Sequence, residues 1–132
     1  MIITKKKELT YRGKTLKELQ ELEVREFAKY LQSRKRRTVL RNFRVLEDFV
    51  SRIKEKSARG KKIRTHCRDL VVVPAMVGMK IAVYDGHAFV PIDITLEMLG
   101  HKLGEFAPSR RKVQHGSAGV GATKGSKHQS KK

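Results

Sequence analysis

Residues 80–94 read KIAVYDGHAFVPIDI. Two β-rich runs meet at Asp85-Gly86, the strongest short hairpin signal, and a two-residue type I′ turn there requires φ > 0 at both residues. Just upstream, IRTHCR (63–68) alternates Ile63, Thr65 and Cys67 with Arg64, His66 and Arg68. That period of two describes a strand with one buried face and one face carrying two arginines and a histidine. DLVVVPAMVG (69–78) between them turns at Pro74, and Gly78 accommodates a left-handed residue. The stretch 63–94 therefore supplies three strands.

On the N-terminal side the period lengthens. Thr15 caps a helical pattern through Leu16, Leu19, Leu22, Phe27 and Leu31, with Glu18 completing a capping box and a break expected at Glu23-Val24. A further helix is expected over 34–57. At about 100° per residue, Val39, Phe43, Leu46, Val50 and Ile53 share one face. Arg34, Arg37, Arg41 and Arg44 form a row on the opposite face, with no acid between residues 34 and 46 to pair with them. Ser57–Gly60 ends this helix. Beyond the hairpin, Thr95 caps a short helix within 95–106, anchored by Leu103 and Phe106, and regular structure stops after Pro108.

The fold class is thus α+β: a small helix-on-sheet domain with a three-stranded sheet and N-terminal helices. A basic arm (1–14), the domain (15–109) and a basic Gly/Lys-rich tail (110–132) follow one another. So small a core is marginally stable alone, so a bound partner is expected to contribute to stability.

Charge separates the function classes. Of 132 residues, 31 are Lys or Arg and 13 are acids, a net +18. Residues 34–68 hold fourteen basic residues against Glu47, Asp48 and Glu55, while 107–132 hold seven against none. Single-sign blocks around a balanced segment call for a polyanion, and nucleic acid fits best. The longest apolar run, Leu70–Gly78, is interrupted by Pro74 and is too short to span a bilayer, and the N-terminus lacks signal-peptide order. A single cysteine, Cys67, excludes an internal disulfide and fits a reducing cytoplasm.

Enzymatic motifs are weak. One cysteine and five histidines (66, 87, 101, 115, 128) are scattered without metal-ligand spacing, so neither metal nor cofactor is expected. The tail glycines Gly116, Gly119, Gly121 and Gly125 are not followed by the Lys-Ser/Thr and helix of a phosphate loop. Cys67 is expected to be buried, and Glu105 to pair with a neighbouring base or backbone N–H. Most aromatics belong to the core, leaving Tyr11 and Tyr84 as candidate base stackers. The residues themselves indicate an RNA-binding structural protein. The alternatives are a DNA-compacting protein or a free RNA-processing or RNA-modifying enzyme using His and Glu.

The segment from Asp85-Gly86-His87 to Ile94, followed by LGHKLGEFAPS (99–109), resembles the signature of the small-subunit ribosomal protein S-nineteen family. IRTHCRD and VVVPAMVG are similar to that family's strand and Pro-Glu-Met-Val-Gly turn, with Ala75 where Glu is common. YRG (11–13), RKRRTVLR (34–41) and VQHGSAGVGAT (113–123) resemble its archaeal and eukaryotic branch.

The resemblance implies a structural protein of the small-subunit head in the cytoplasmic ribosome. Its implied partners are small-subunit ribosomal RNA, the neighbouring protein S-thirteen, and A-site tRNA and mRNA reached by the tail. No membrane partner and no homo-oligomer are expected. Positions matching the family and expected to face RNA are Arg64, His66, Arg68, His101, Lys102, Arg110, Arg111 and His115. Lys35 and Arg36 beside the arginine row, and Lys112, Lys124 and Lys127 in the tail, complete the expected RNA-binding set.

Overall fold

The computed structural model describes residues 9–129; most of the expected basic arm and residues 130–132 lie outside the described residues. Four helices precede the sheet: α1 (Leu16–Glu21), α2 (Val24–Ala28), α3 (Ser33–Arg41) and α4 (Phe43–Ala58). Three strands follow, β1 (Ile63–Thr65), β2 (Lys80–Tyr84) and β3 (Phe89–Asp93), in spatial order β1-β2-β3. β1 lies parallel to β2, and β2 antiparallel to β3, giving the expected α+β class.

Thr15 begins α1, and its N–H donates to Glu18 Oε2 at 3.0 Å, the reach-back half of a capping box. Leu22 is extended and Glu23 caps α2, so the chain breaks where expected, at Glu23-Val24. A β-bridge joins Tyr11 and Lys14 across Arg12 (φ 49°) and Gly13 (φ 80°), the double positive φ of a type I′ turn.

The single helix expected over 34–57 is two helices. Asn42, with φ −101° and ψ 25°, leaves the helical basin, and α4 resumes with Leu46 N–H donating to Asn42 O at 3.0 Å. Asparagine is a poor helix former because its short amide competes for backbone partners. Past this bend the buried face of α4 is Leu46, Phe49, Val50 and Ile53. Phe43, expected in that row, is only half-buried, with the Arg25 guanidinium 4.2 Å from its ring centroid.

α2 packs on α3 and α4, while α4 reaches the sheet at β1. Ile63, Thr65, Ile81, Val83 and Ile92 face this helical layer and are buried; Arg64, Lys80 and Pro91 on the other face are exposed. Leu19, Phe27, Leu46, Ile53, Met76 and Leu103 are almost wholly removed from water. Each contributes about 1.5–3 kcal/mol of apolar burial. Leu70–Val73 are all buried because this segment runs antiparallel to 100–104 inside the core. Val72 N–H donates to His101 O (2.8 Å) and Leu103 N–H to Leu70 O (3.0 Å).

The hairpin corrects the expected two-residue turn. Tyr84 pairs with Phe89, so four residues form the loop, and Asp85 does not take positive φ. Instead its Oδ1 accepts the N–H groups of His87 (2.8 Å) and Ala88 (2.7 Å). Only Gly86, at φ 102°, is left-handed. Gly86→Val is expected to cost about 1–3 kcal/mol of stability through backbone strain. Thermal unfolding checks this, and melting at the parent's temperature would contradict the strained conformation.

β1 ends earlier than the alternation implied. Thr65 Oγ1 accepts the Cys67 N–H at 3.0 Å, a local bond that turns the chain out of the sheet. Cys67, expected to be buried, is consequently exposed. The short helix expected within 95–106 is two separate 3-10 turns, Leu96–Met98 and Leu103–Phe106.

Candidate nucleic-acid interface

The bend at Asn42 divides the arginine row between two adjoining grooves. Arg34, Arg36, Arg37, Leu40 and Arg41 line the first; Arg25, Leu40, Arg41, Phe43, Arg44 and Val45 line the second. Arg41 and Leu40 belong to both. Arg34, Arg37, Arg41 and Arg44 are exposed, and among the described residues none pairs with a carboxylate. Four guanidiniums spaced along one bent surface can each meet a phosphate in a fixed fork geometry. Leu40 and Val45, 49% and 50% exposed, place apolar contacts among them.

Other residues of the expected set are engaged within the protein. Arg36 donates through Nε to Ala28 O (3.1 Å) and through Nη2 to Lys29 O (2.7 Å), capping the C-terminal end of α2. Arg68 reaches three carbonyls, Tyr84 O, Gly104 O and Ala107 O, joining the end of β2 to the last turn of the domain. Arg68 therefore acts as a structural clamp, with few N–H groups left over for the RNA contact that the family resemblance implies.

The LGHKLGEF segment has a physical logic of its own. A Cβ on Gly104 would lie 3.0 Å from both Arg68 Cβ and Arg68 O, so any larger residue would crowd the clamp's close approach. At Gly100 (φ 79°) a Cβ would meet Tyr11 Oη at 3.0 Å and Leu31 at 3.1 Å. Tyr11 also packs its ring 5.9 Å from that of Phe27, which removes it from the candidate stackers.

Glu105 gathers two of the expected cations. Its Oε1 accepts from Lys35 Nζ (2.6 Å), and its Oε2 lies 2.6 Å from His101 Nδ1. Lys102 contributes its backbone N–H (3.3 Å). The Lys35 hydrogen bond, then those of His101 and Lys102, lowers the Glu105 carboxyl to about 2 despite the opposing effect of burial. A lowered carboxyl stabilises the fold above its ordinary value near 4.5, and this contribution disappears as pH falls through about 2. Because the side chain is 42% exposed, solvent screening limits the gain to about 1 kcal/mol. Urea unfolding between those pH values is expected to show declining stability. Glu105→Gln should remove that part of the slope; an unchanged slope would contradict the network.

At the root of the tail, Arg111 Nη2 lies 3.2 Å from Asp85 Oδ2. The Asp85 carboxyl is held below its ordinary range by the Ala88 N–H first and the His87 N–H second, with Arg111 adding to them. Arg110, Lys112, His115, Lys124 and Lys127 are exposed. The described tail carries no strand or α-helix, only a 3-10 turn over Lys124–Ser126.

On the outer face of the sheet, Arg64 and His66 meet Phe89, a residue that sequence reasoning missed. Phe89 lies 5.1 Å from the His66 ring and 5.2 Å from the Tyr84 ring, and the Arg64 guanidinium sits 5.4 Å from its centroid. Strand parity could have found Phe89. A two-residue turn would pair it with Ala82 and the observed loop pairs it with Tyr84, both on the outer face.

Among the described residues no helix is long and apolar enough to cross a membrane, and no group of His, Cys, Asp and Glu is arranged to hold a metal ion. A small α+β domain with exposed, unpaired arginine grooves and a basic tail has the make-up of a nucleic-acid-binding structural protein. A family model described as Ribosomal protein S19 matches residues 35–115. The chain is also 44% identical, over 93% of its length and 88% of the relative's, to small ribosomal subunit protein uS19 of Methanococcoides burtonii. The chain belongs to the ribosomal protein S19 family. It is a structural component of the small subunit in the cytoplasmic ribosome, not an enzyme, which sets aside the RNA-processing alternative.

Proposed function

We propose that the two arginine grooves of α3 and α4 hold small-subunit ribosomal RNA by its phosphates. In this reading the tail extends from the domain (15–109) toward the decoding site, A-site tRNA and mRNA, with protein S-thirteen as the neighbour in the subunit head. The observation that carries this reading is the exposed, carboxylate-free set Arg34, Arg37, Arg41 and Arg44 among the described residues. Arg64 and His66 on the outer face of the sheet, and Arg110, Arg111, Lys112 and His115 in the tail, are further exposed basic positions offered to RNA, with His101 and Lys102 beside Glu105. Lys35, Arg36 and Arg68 serve the fold.

The tail's composition supports its role. Val113–Lys132 can span roughly 65 Å when extended at about 3.3 Å per residue. Its glycines allow close backbone approach to RNA, and Lys124 and Lys127 can supply point charges without needing a fixed fold. Deletion of 113–132 is expected to leave thermal unfolding and subunit assembly nearly unchanged while weakening A-site tRNA binding. Crosslinks from Lys124 and Lys127 in ribosomes carrying A-site tRNA are expected to include tRNA or mRNA. Crosslinks confined to ribosomal RNA, with normal tRNA selection after deletion, would overturn the decoding-site role and leave a purely neutralising tail.

A further inference from the structure

The sheet's outer face has an unusual composition for a surface facing water. Wet sheet faces are normally polar at alternate positions. Here Ala82, Phe89 and Pro91 form the floor of a groove with a volume of about 490 Å³. Lys61, Lys62, Arg64 and Lys80 stand around it. Among the described residues Lys80 pairs with Asp93 at 3.6 Å, and Lys61, Lys62 and Arg64 pair with no acid. Beside the floor, His66 and Tyr84 pack with ring centroids 4.7 Å apart, so the aromatic surface continues past the groove. α4 reaches the sheet from the other side, and on this face Arg64, Lys80 and Pro91 are exposed among the described residues.

A flat apolar floor ringed by cations matches a ligand that is flat and apolar in one part and anionic in another. Nucleic acid has both features, but a duplex turns its phosphates and base edges outward and hides its base faces in the stack. Only an unpaired nucleotide presents a face. We infer that this groove is a stacking platform for an unpaired nucleotide of RNA. The base lies against Phe89 and Pro91, and Lys62 and Arg64 meet the flanking phosphates. This inference rests on the RNA-binding reading of the arginine grooves but concerns a different surface and a different RNA structure. It accounts for Phe89 and Pro91, which the phosphate grooves do not use.

The test compares binding of the full chain to single-stranded oligoadenylate and to an RNA duplex of equal length, with ultraviolet crosslinking to locate contacts. Phe89→Leu is expected to weaken single-strand binding about tenfold, the effect of losing one stacked base, and to leave duplex binding and both salt slopes as in the parent. Phe89→Trp, which keeps an aromatic face, should bind the single strand at least as tightly. Single-strand crosslinks should fall on His66, Tyr84 or Phe89. Equal single-strand affinity for parent and Phe89→Leu, or crosslinks confined to α3 and α4, overturns the platform while duplex binding keeps the arginine reading intact. Crosslinks from Lys62 and Lys80 to another ribosomal protein alone, in assembled subunits, overturn it as well. Loss of duplex binding in the parent would instead count against the arginine grooves.

Discussion

Replacing Arg68 with alanine is expected to lower the unfolding free energy by about 3–5 kcal/mol. The side chain donates to Tyr84 O, Gly104 O and Ala107 O, so it ties the end of β2 to the turn over Leu103–Phe106. Hydrogen bonds from a charged donor contribute about 1.5–3 kcal/mol each, and three bonds sharing one guanidinium add less than their sum. Alanine would leave the carbonyls without this donor and open space beside Gly104. A small domain has only about 5–15 kcal/mol in total, so the loss is a large share of its stability. Arg68→Lys should not rescue it, since an ammonium on a flexible stem cannot reproduce the planar fork. Urea unfolding measures the effect. Arg37→Ala, which removes no internal bond, is expected to stay within about 0.5 kcal/mol of the parent. Parent-like unfolding of Arg68→Ala together with weakened RNA binding would show that the guanidinium faces RNA and that the clamp is misread.

The clamp illustrates which features were legible in the sequence. Periodicity identified the strands and most of the buried positions, because burial of one face is a local, repeating demand. It placed Ile63, Thr65, Leu46, Val50 and Ile53 inside, as observed. It also placed Arg34, Arg37, Arg41 and Arg44 outside. It could not distinguish an arginine that meets solvent from one that meets a carbonyl. Arg36 and Arg37 are adjacent in a basic run, yet only Arg36 reaches the end of α2. That difference depends on where another helix stops in space. Likewise, Lys35 looked like part of the RNA-facing run, but Glu105, seventy residues away in sequence, claims it.

Short-range side-chain bonds to the backbone account for the remaining departures. The alternation through Cys67 and the two-residue turn at Asp85-Gly86 both assumed that the ladder continues regularly. Thr65 Oγ1 and Asp85 Oδ1 each captured backbone N–H groups instead, ending one strand early and lengthening one loop. The GHKLGEF segment was recognisable by resemblance alone. Its physical reasons, the Arg68 approach at Gly104 and the Tyr11 contact at Gly100, are tertiary.

The largest expected effect on function belongs to the arginine grooves. Each phosphate contact releases condensed counterions, so a full set of four contributes roughly three to four units to the log–log salt slope of RNA binding. At about 0.1 M salt the same release corresponds to about a thousandfold in affinity. Replacing Arg34, Arg37, Arg41 and Arg44 together by alanine should therefore weaken binding by about three orders of magnitude, with thermal unfolding nearly unchanged because none of the four bonds a carboxylate among the described residues. The most direct measurement is the salt dependence of binding to a small-subunit ribosomal RNA fragment, parent against this fourfold variant. A slope reduced by about three to four units supports phosphate contact through α3 and α4. An unchanged slope in a variant that still folds would mean that the arginines are merely solvated and that the RNA is held elsewhere.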